Sequence, residues 1–214
     1  GQLVRKDLDR KHRGKIDLWG YYEGGRLIKQ EEDLRGDGKV SRVLYFRGDE
    51  VFRREEDTGG RGRMDLIELF SQGRLTQRLR DSKATGRWDT IYFYRDNQLV
   101  GEERDTNGDG FFDLRIFYDK GATVAQEADT NGDQRVDVWV RFENGERAEQ
   151  LEDQNYQGRI TGPYVFKNGA VAQQEQVDNV EPPRAAEPFG AVERAVQSFA
   201  VELPGRAASV LPPG

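Results

Sequence analysis

The chain has 214 residues, of which 35% are hydrophobic and 34% charged, with a net charge of −6 at pH 7. So polar a composition does not fill a deep spherical core, and the negative balance argues against nucleic acid or an anionic membrane surface as partners. No Cys and a single His exclude disulfides, thiol nucleophiles and Cys or His-cluster metal sites, and no run is long and apolar enough to be a membrane-spanning helix.

A period of 24 residues governs the chain from the start. Asp recurs at 9, 33, 57, 81, 105, 129 and 153. Five residues later comes Gly14, Gly38, Gly62, Gly86, Gly110 and Gly158, with Gln134 the exception. Two further on is an apolar row, Ile16, Val40, Met64, Trp88, Phe112, Val136 and Ile160. Six beyond that is an aromatic row, Tyr22, Phe46, Phe70, Tyr94, Tyr118, Phe142 and Phe166. Repetition of this kind suits a thin array in which each unit buries a little surface against its neighbours.

Each unit reads as loop, strand, tight turn, strand. The stretch after the loop, such as 111–119, is rich in β-branched and aromatic residues. Gly24-Gly25, Asn144-Gly145 and Asn168-Gly169 then supply the positive-φ pairs of two-residue hairpin turns. Across such a hairpin the aromatic row faces Leu27, Val51, Leu75, Leu99 and Val171, with Thr123 and Arg147 breaking the row in repeats five and six. Alternation is expected to place Ile16, Leu18 and Tyr22 on one face and Trp19 and Tyr21 on the other. The predicted fold is all-β: seven tandem 24-residue hairpins over residues 1–177, forming an elongated antiparallel meander, open or curled. One hairpin per unit resembles the architecture of MORN repeats and of the tyrosine-aspartate repeats of bacterial surface proteins, carried here by phrases such as Gly73-Arg-Leu-Thr and Tyr94-Arg-Asp-Asn-Gln-Leu.

Repeats five and six carry the chemistry. Their loops read Asp-Thr-Asn-Gly-Asp-Gly-Phe-Phe-Asp from Asp105 and Asp-Thr-Asn-Gly-Asp-Gln-Arg-Val-Asp from Asp129. Side-chain oxygens fall at loop positions 1, 3, 5 and 9, namely Asp105, Asn107, Asp109 and Asp113, then Asp129, Asn131, Asp133 and Asp137. Hard cations such as Ca²⁺ take this donor set and spacing, with the carbonyls of Phe111 and Arg135 added at position 7. The competing reading is an acidic turn that satisfies its own backbone. An EF-hand would place Glu at position 12, where Ile116 and Val140 stand. The motif is similar instead to the calcium loops of FG-GAP and thrombospondin type 3 repeats, over about nine residues per copy.

The other loops lose these ligands. Lys11 and Arg13, Arg35, Arg61 and Lys83 stand where oxygens would be, while the outer acids Asp9 with Asp17, Asp57 with Asp65 and Asp81 with Asp89 remain. These cations are expected to fill the ion's place within their own loops. The alternative is ordinary solvated charge.

Residues 178–188 form a Pro-rich linker, and Phe189, Val192, Val196, Phe199 and Leu203 predict an amphipathic helix over 189–203, followed by a flexible tail at 204–214. The helix would pack on the sheet or meet a partner. No nucleophile elbow, phosphate loop or dinucleotide fingerprint is present, and His12 sits alone in a basic loop. The expectation is a non-catalytic, calcium-stabilised scaffold that binds another protein or a cell-surface component. Loops of this type fill at millimolar calcium, so export to the periplasm or surface of a bacterium is expected, and a start without Met suits a processed chain. The alternative function is a carbohydrate-binding module using exposed aromatics such as Trp19, Trp88 and Trp139.

Overall fold

The structure, a computed structural model, describes residues 2–167 and 170–174. The predicted linker, helix and tail, and the Asn168-Gly169 turn, lie outside the described residues. Strand β1 (Leu3–Leu8) precedes seven hairpins. These are β2 (Leu18–Glu23) with β3 (Arg26–Glu32), β4 (Arg42–Arg47) with β5 (Glu50–Glu56), and β6 (Leu66–Ser71) with β7 (Arg74–Arg80). Next come β8 (Thr90–Arg95) with β9 (Gln98–Arg104) and β10 (Leu114–Asp119) with β11 (Ala122–Ala128). The last two are β12 (Val138–Glu143) with β13 (Glu146–Glu152) and β14 (Gly162–Lys167) with β15 (Ala170–Gln174). All 15 pair antiparallel in sequence order in one sheet that does not close on itself.

Turn chemistry sets the hairpins. Both turn residues take positive φ at Gly24-Gly25, Gln72-Gly73, Asp96-Asn97, Lys120-Gly121 and Asn144-Gly145, the signature of type I′ turns. At Gly48-Asp49 only the glycine does. The aromatic row pairs with the expected partners, Tyr22 with Leu27, Phe46 with Val51, Phe70 with Leu75 and Tyr94 with Leu99. Thr123 and Arg147 stand opposite Tyr118 and Phe142. Each hairpin also carries a one-residue bulge the sequence did not announce. Register slips between Tyr21 and Tyr22, so that Ile28 has no residue opposite it, and the slip recurs once per repeat. A bulge adds local twist to the strand that carries it.

The core is a cross-strand patch at the centre of the sheet. Ile67, Leu79 and Ile91 stand directly opposite one another in one row, and Leu69, Gln77 and Phe93 in the next. Ile67, Leu69, Leu79, Ile91, Phe93 and Phe117 are buried as one cluster, with Trp88, Phe112 and Val100 packed against it. The register carries these rows back to Trp19 and Tyr21, so the patch lies on their face. Here the expected face assignment needs correcting. Ile16 and its equivalents lie in the loops rather than on strands, free of strand alternation, and Trp88 and Phe112 fold onto the face opposite that of Leu18 and Tyr22.

Ionic compensation keeps the polar rows in the sheet. Glu68 is fully buried between Arg54 and Arg78, with Arg78 Nη2 at 2.7 Å. Arg42 bridges Glu32 at 3.4 Å and Glu56 at 3.1 Å. Arg115 lies 3.0 Å from Glu103 and 3.8 Å from Glu127 on the other face. A buried charge persists only when paired, so these rungs allow acidic residues under a thin sheet.

Phe93 anchors the patch with 2% exposure. Phe93→Ala should cost about 3–5 kcal/mol, read as a lower urea midpoint for the central repeats. Phe111→Ala, at an exposed loop position, should fall within about 0.5 kcal/mol of the parent.

Candidate functional site

All the loops stack along one edge of the sheet, tied by a backbone ladder. The N–H of each repeat's first Asp donates to the carbonyl of loop position 9 in the repeat before. Asp57 donates to Ser41, Asp81 to Asp65, Asp105 to Asp89 and Asp129 to Asp113, all within 2.9–3.0 Å. The loops therefore form a column with the pitch of one hairpin.

Within each loop the first Asp is an organising acceptor. Asp33 accepts the N–H of Gly36 at 2.6 Å and of Gly38 at 2.7 Å. Asp57 takes Arg61 and Gly62, and Asp81 takes Thr85 and Gly86. Asp153 closes the last loop in the same way, on Gln157 and Gly158. Position 9 closes the other side, since Asp17, Ser41, Asp65 and Thr161 each accept the N–H of position 2. Such turns demand left-handed backbone at positions 4 and 6. Position 6 explains the glycine row, where Gln134 adopts φ +70°. Position 4 is glycine at Gly36, Gly60, Gly108 and Gly132, and His12, Ala84 and Tyr156 take φ between 50° and 57° there, so the sequence shows this second left-handed position only in part.

The ten residues predicted to bind metal are built on this frame. Asp105 is buried and accepts Gly108 N–H at 2.6 Å and Gly110 N–H at 2.9 Å, one on each oxygen. Asn107 and Asp109 are exposed, with Asn107 Nδ2 donating to Asp109 at 3.0 Å and Asp109 N–H to Asn107 Oδ1 at 2.9 Å. Phe111 donates its N–H to Asp109, and buried Asp113 accepts the Thr106 hydroxyl at 2.7 Å and the Asn107 N–H at 3.2 Å. Loop six repeats the pattern. Asp129 accepts Gly132 and Gln134, Asn131 accepts Asp133, Asp133 accepts Arg135, and Asp137 accepts Thr130. Among the described residues, no group of three or more Asp, Glu, His or Cys side chains converges as a metal-binding cluster. The donor chemistry itself fits a hard cation. Each carboxylate oxygen that accepts one N–H keeps a second lone pair.

Cations of the degenerate loops reach forward rather than inward, which corrects the expected own-loop pairing. Lys11 Nζ donates to the carbonyl of Leu34 in the next loop at 2.9 Å, and Lys83 Nζ to that of Thr106 at 3.3 Å. Arg35 bonds the Asp57 carbonyl and lies 3.5 Å from its carboxylate. Arg63 meets Asp81 at 3.1 Å. Arg61 is exposed and curls over Gly59, where a Cβ would lie 3.4 Å from its Nε, and it forms no ion pair with Asp57 or Asp65. The physical reason is that both flanking acids already hold loop N–H groups, while the next loop's carbonyls lie one hairpin pitch away. Position 3 of loop five is Asn107, and between loops five and six lies an open cleft of about 330 Å³ lined by Thr106, Asn107, Asp113, Asp129, Thr130 and Asn131.

At Asp33 and Asp57, N–H donors and neighbouring cations also favour the charged carboxylate. Burial pushes Asp33 up, but N–H bonds from Gly38, Gly36 and Asp37 and the Lys11 charge outweigh it and hold the carboxyl below its usual range. Asp57 behaves alike, with burial opposed by the N–H groups of Arg61 and Gly62 and by the Arg35 charge.

No family model matches the chain, and no characterised protein matches it in sequence. Among solved structures, a crystal structure of accessory secretory protein 1, 2 and 3 in Streptococcus pneumoniae aligns over 53% of this chain and 17% of that one, at 16% identity and a TM-score of 0.20. A crystal structure of TarM aligns over 80% of this chain and 21% of that one, at 10% identity and a TM-score of 0.19. The chain thus spans about a fifth of the length of either, and likenesses this low carry no argument.

Two outcomes test the frame. Asp57→Ala strips acceptors from two part-buried N–H groups and should cost about 1–3 kcal/mol by urea unfolding, whereas Asp109→Ala, at an exposed position, should cost less than about 1. A depressed folded pKa adds stability that is complete above the unfolded value of about 3.9 and is lost as pH falls through the folded value. Stability followed by circular dichroism should therefore decline below about pH 4. Asp57→Asn should be less stable at neutral pH with a shallower acid dependence.

Proposed function

We propose that this chain is an exported, calcium-stabilised, non-catalytic scaffold that binds another protein or a cell-surface component through its long sheet. The observation that carries the reading is the change of chemistry along the loop column. Where earlier junctions place a Lys ammonium on the next loop's carbonyl, the junction of loops five and six offers a cleft in which the oxygens of Thr106, Asn107, Asp113, Asp129, Thr130 and Asn131 stand beside apolar Leu114 and Ala128. Asp105, Asn107, Asp109 and Asp113, with the Phe111 carbonyl, would hold one calcium ion. Asp129, Asn131, Asp133 and Asp137, with the Arg135 carbonyl, would hold another. The ions would supply only charge neutralisation and loop rigidity. Export follows from the millimolar calcium such loops require. No helix among the described residues is long and apolar enough to cross a membrane.

A glycan-binding module is the second reading. Trp19 and Trp139 are half-buried rather than open, so it rests on the mixed row Tyr21, Lys29, Tyr45 and Arg53. A glycan array in which a saccharide binds, and binding is lost in Tyr45→Ala, would favour it.

Calorimetric titration of chelator-treated protein with calcium should show binding in the micromolar to millimolar range, on the order of 10⁻⁶–10⁻³ M. At a hundredfold excess over Kd, each site should add roughly 2.7 kcal/mol of stability. Hydrogen exchange should place that gain in repeats five and six, and the double variant Asp109→Ala with Asp133→Ala should abolish it while the fold persists. Absence of both heat and stabilisation would remove calcium from the reading.

A further inference from the structure

We propose that the rim of the loop column is a linear binding track for an acidic polysaccharide whose carboxylates recur on alternate sugar rings. Position 7 of the loops carries it. That position is Lys15, Lys39, Arg63, Arg87, Arg135 and Arg159 in six repeats and Phe111 in repeat five, and all of them are exposed. None has positive φ, so the backbone does not select the residue. A calcium loop would use only the carbonyl of position 7, which every residue type has. The recurrence of a cation there therefore belongs to the side chain.

Most of that charge is unspent. Arg63 pairs with Asp81 at 3.1 Å, whereas Lys15, Lys39, Arg87 and Arg135 pair with no acid among the described residues. The loop acids are engaged with backbone instead. Asp37, Asp109 and Asp133 accept the N–H groups of Lys39, Phe111 and Arg135 at 2.8–2.9 Å, and the first acid of each loop is buried or half-buried. Arg63 and Arg87 lean along the column, their Nη1 atoms 2.8 Å and 3.9 Å from where a Cβ would lie on Gly86 and Gly110 of the next loop.

The spacing of the row selects the polymer. Stacked loops lie one hairpin apart, two strand spacings or about 9.5 Å. In a nucleic acid strand the phosphates recur at about 3.4 Å, so roughly three would pass each cation. The chain's net charge of −6 further disfavours so dense a polyanion. A chain of pyranose rings with a carboxylate on every second ring presents about one anion per hairpin pitch. Each guanidinium fork can take such a carboxylate on two N–H groups. Phe111, 45% exposed within the row, offers an aromatic face that suits the C–H face of a sugar ring and not an anion.

The track deepens the scaffold reading by naming the class of its cell-surface component; it rests on that reading for its use but not on calcium. A labelled hyaluronan oligosaccharide long enough to span the row is titrated with full-length protein in the presence of chelator, and anisotropy is read. Saturable binding is expected, weakened at least threefold when salt rises from about 50 to about 200 mM. Arg87→Glu and Lys39→Glu, both at exposed positions, should each weaken it at least fivefold with the melting temperature unchanged. Phe111→Ala, which keeps the loop carbonyl, should weaken it at least threefold. Tyr45→Ala, on the sheet face, should leave it unchanged. Absence of saturable binding, salt-independent binding, equal binding of neutral dextran, or equal or tighter binding of a single-stranded DNA of the same charge would each overturn the track. So would an unchanged affinity in Arg87→Glu, Lys39→Glu or Phe111→Ala, or a loss in Tyr45→Ala. The calcium titration, run separately, still reports on the scaffold reading.

Discussion

The fold hangs on one repeated interaction, an aspartate carboxylate that accepts the N–H groups of the loop it begins. A nine-residue connection at the edge of a thin sheet has backbone donors that neither strand pairing nor a thick core can satisfy. Asp33, Asp57, Asp81, Asp105 and Asp129 each take two of them on their two oxygens, and Asp153 takes three. The acceptor at position 9 closes the other side. Because the backbone N–H of the same Asp bonds the preceding loop, each carboxylate fixes its own loop while its peptide fixes the pitch of the column.

That division of labour separates shape from ion binding. Positions 1 and 9 perform the same task in loops with and without the calcium signature, so loop shape does not distinguish them. Positions 3 and 5 differ, and there the column passes from Lys11, Arg35 and Lys83, which reach the next loop, to Asn107, Asp109, Asn131 and Asp133, which hydrogen-bond within their own. A fixed cation between neighbouring loops eases the concentration of carboxylates and carbonyls along an edge, and the proposed ion would do the same where no such cation reaches across. The scaffold reading draws on this contrast.

The sheet itself tolerates so polar a sequence because its charges are spent in pairs. The buried apolar cluster lies at the centre, from Ile67 to Phe117, with Leu18, Val43, Val140 and Ile160 buried outside it. Toward the first strands the rows become alternating cations, acids and aromatics, with Lys29, Glu31 and Tyr21 in mutual contact and Arg53 beside Glu55 and Tyr45. Burial of Glu32, Glu68 and Glu102 is supportable only because Arg42, Arg54, Arg78 and Arg104 lie beside them.

The sequence by itself determined the period, the hairpins, their turns and the pairing of aromatic against apolar rows. Each of these follows from local backbone chemistry: positive φ at Gly and Asn, alternation along a strand, and an Asp that can close a turn only at a fixed offset. It also placed oxygen donors at Asp105–Asp113 and Asp129–Asp137, since ligand spacing is a property of chain order. Tertiary structure decided what depends on neighbours one repeat away. The bulge at Ile28 and its equivalents leaves no compositional mark. Trp88 and Phe112 fold onto the unexpected face because loop residues escape strand alternation. Lys11, Arg35, Arg63 and Lys83 reach forward because the partner they satisfy lies 18 to 23 residues along the sequence yet one hairpin away in space, a proximity that only the stacking of the sheet creates.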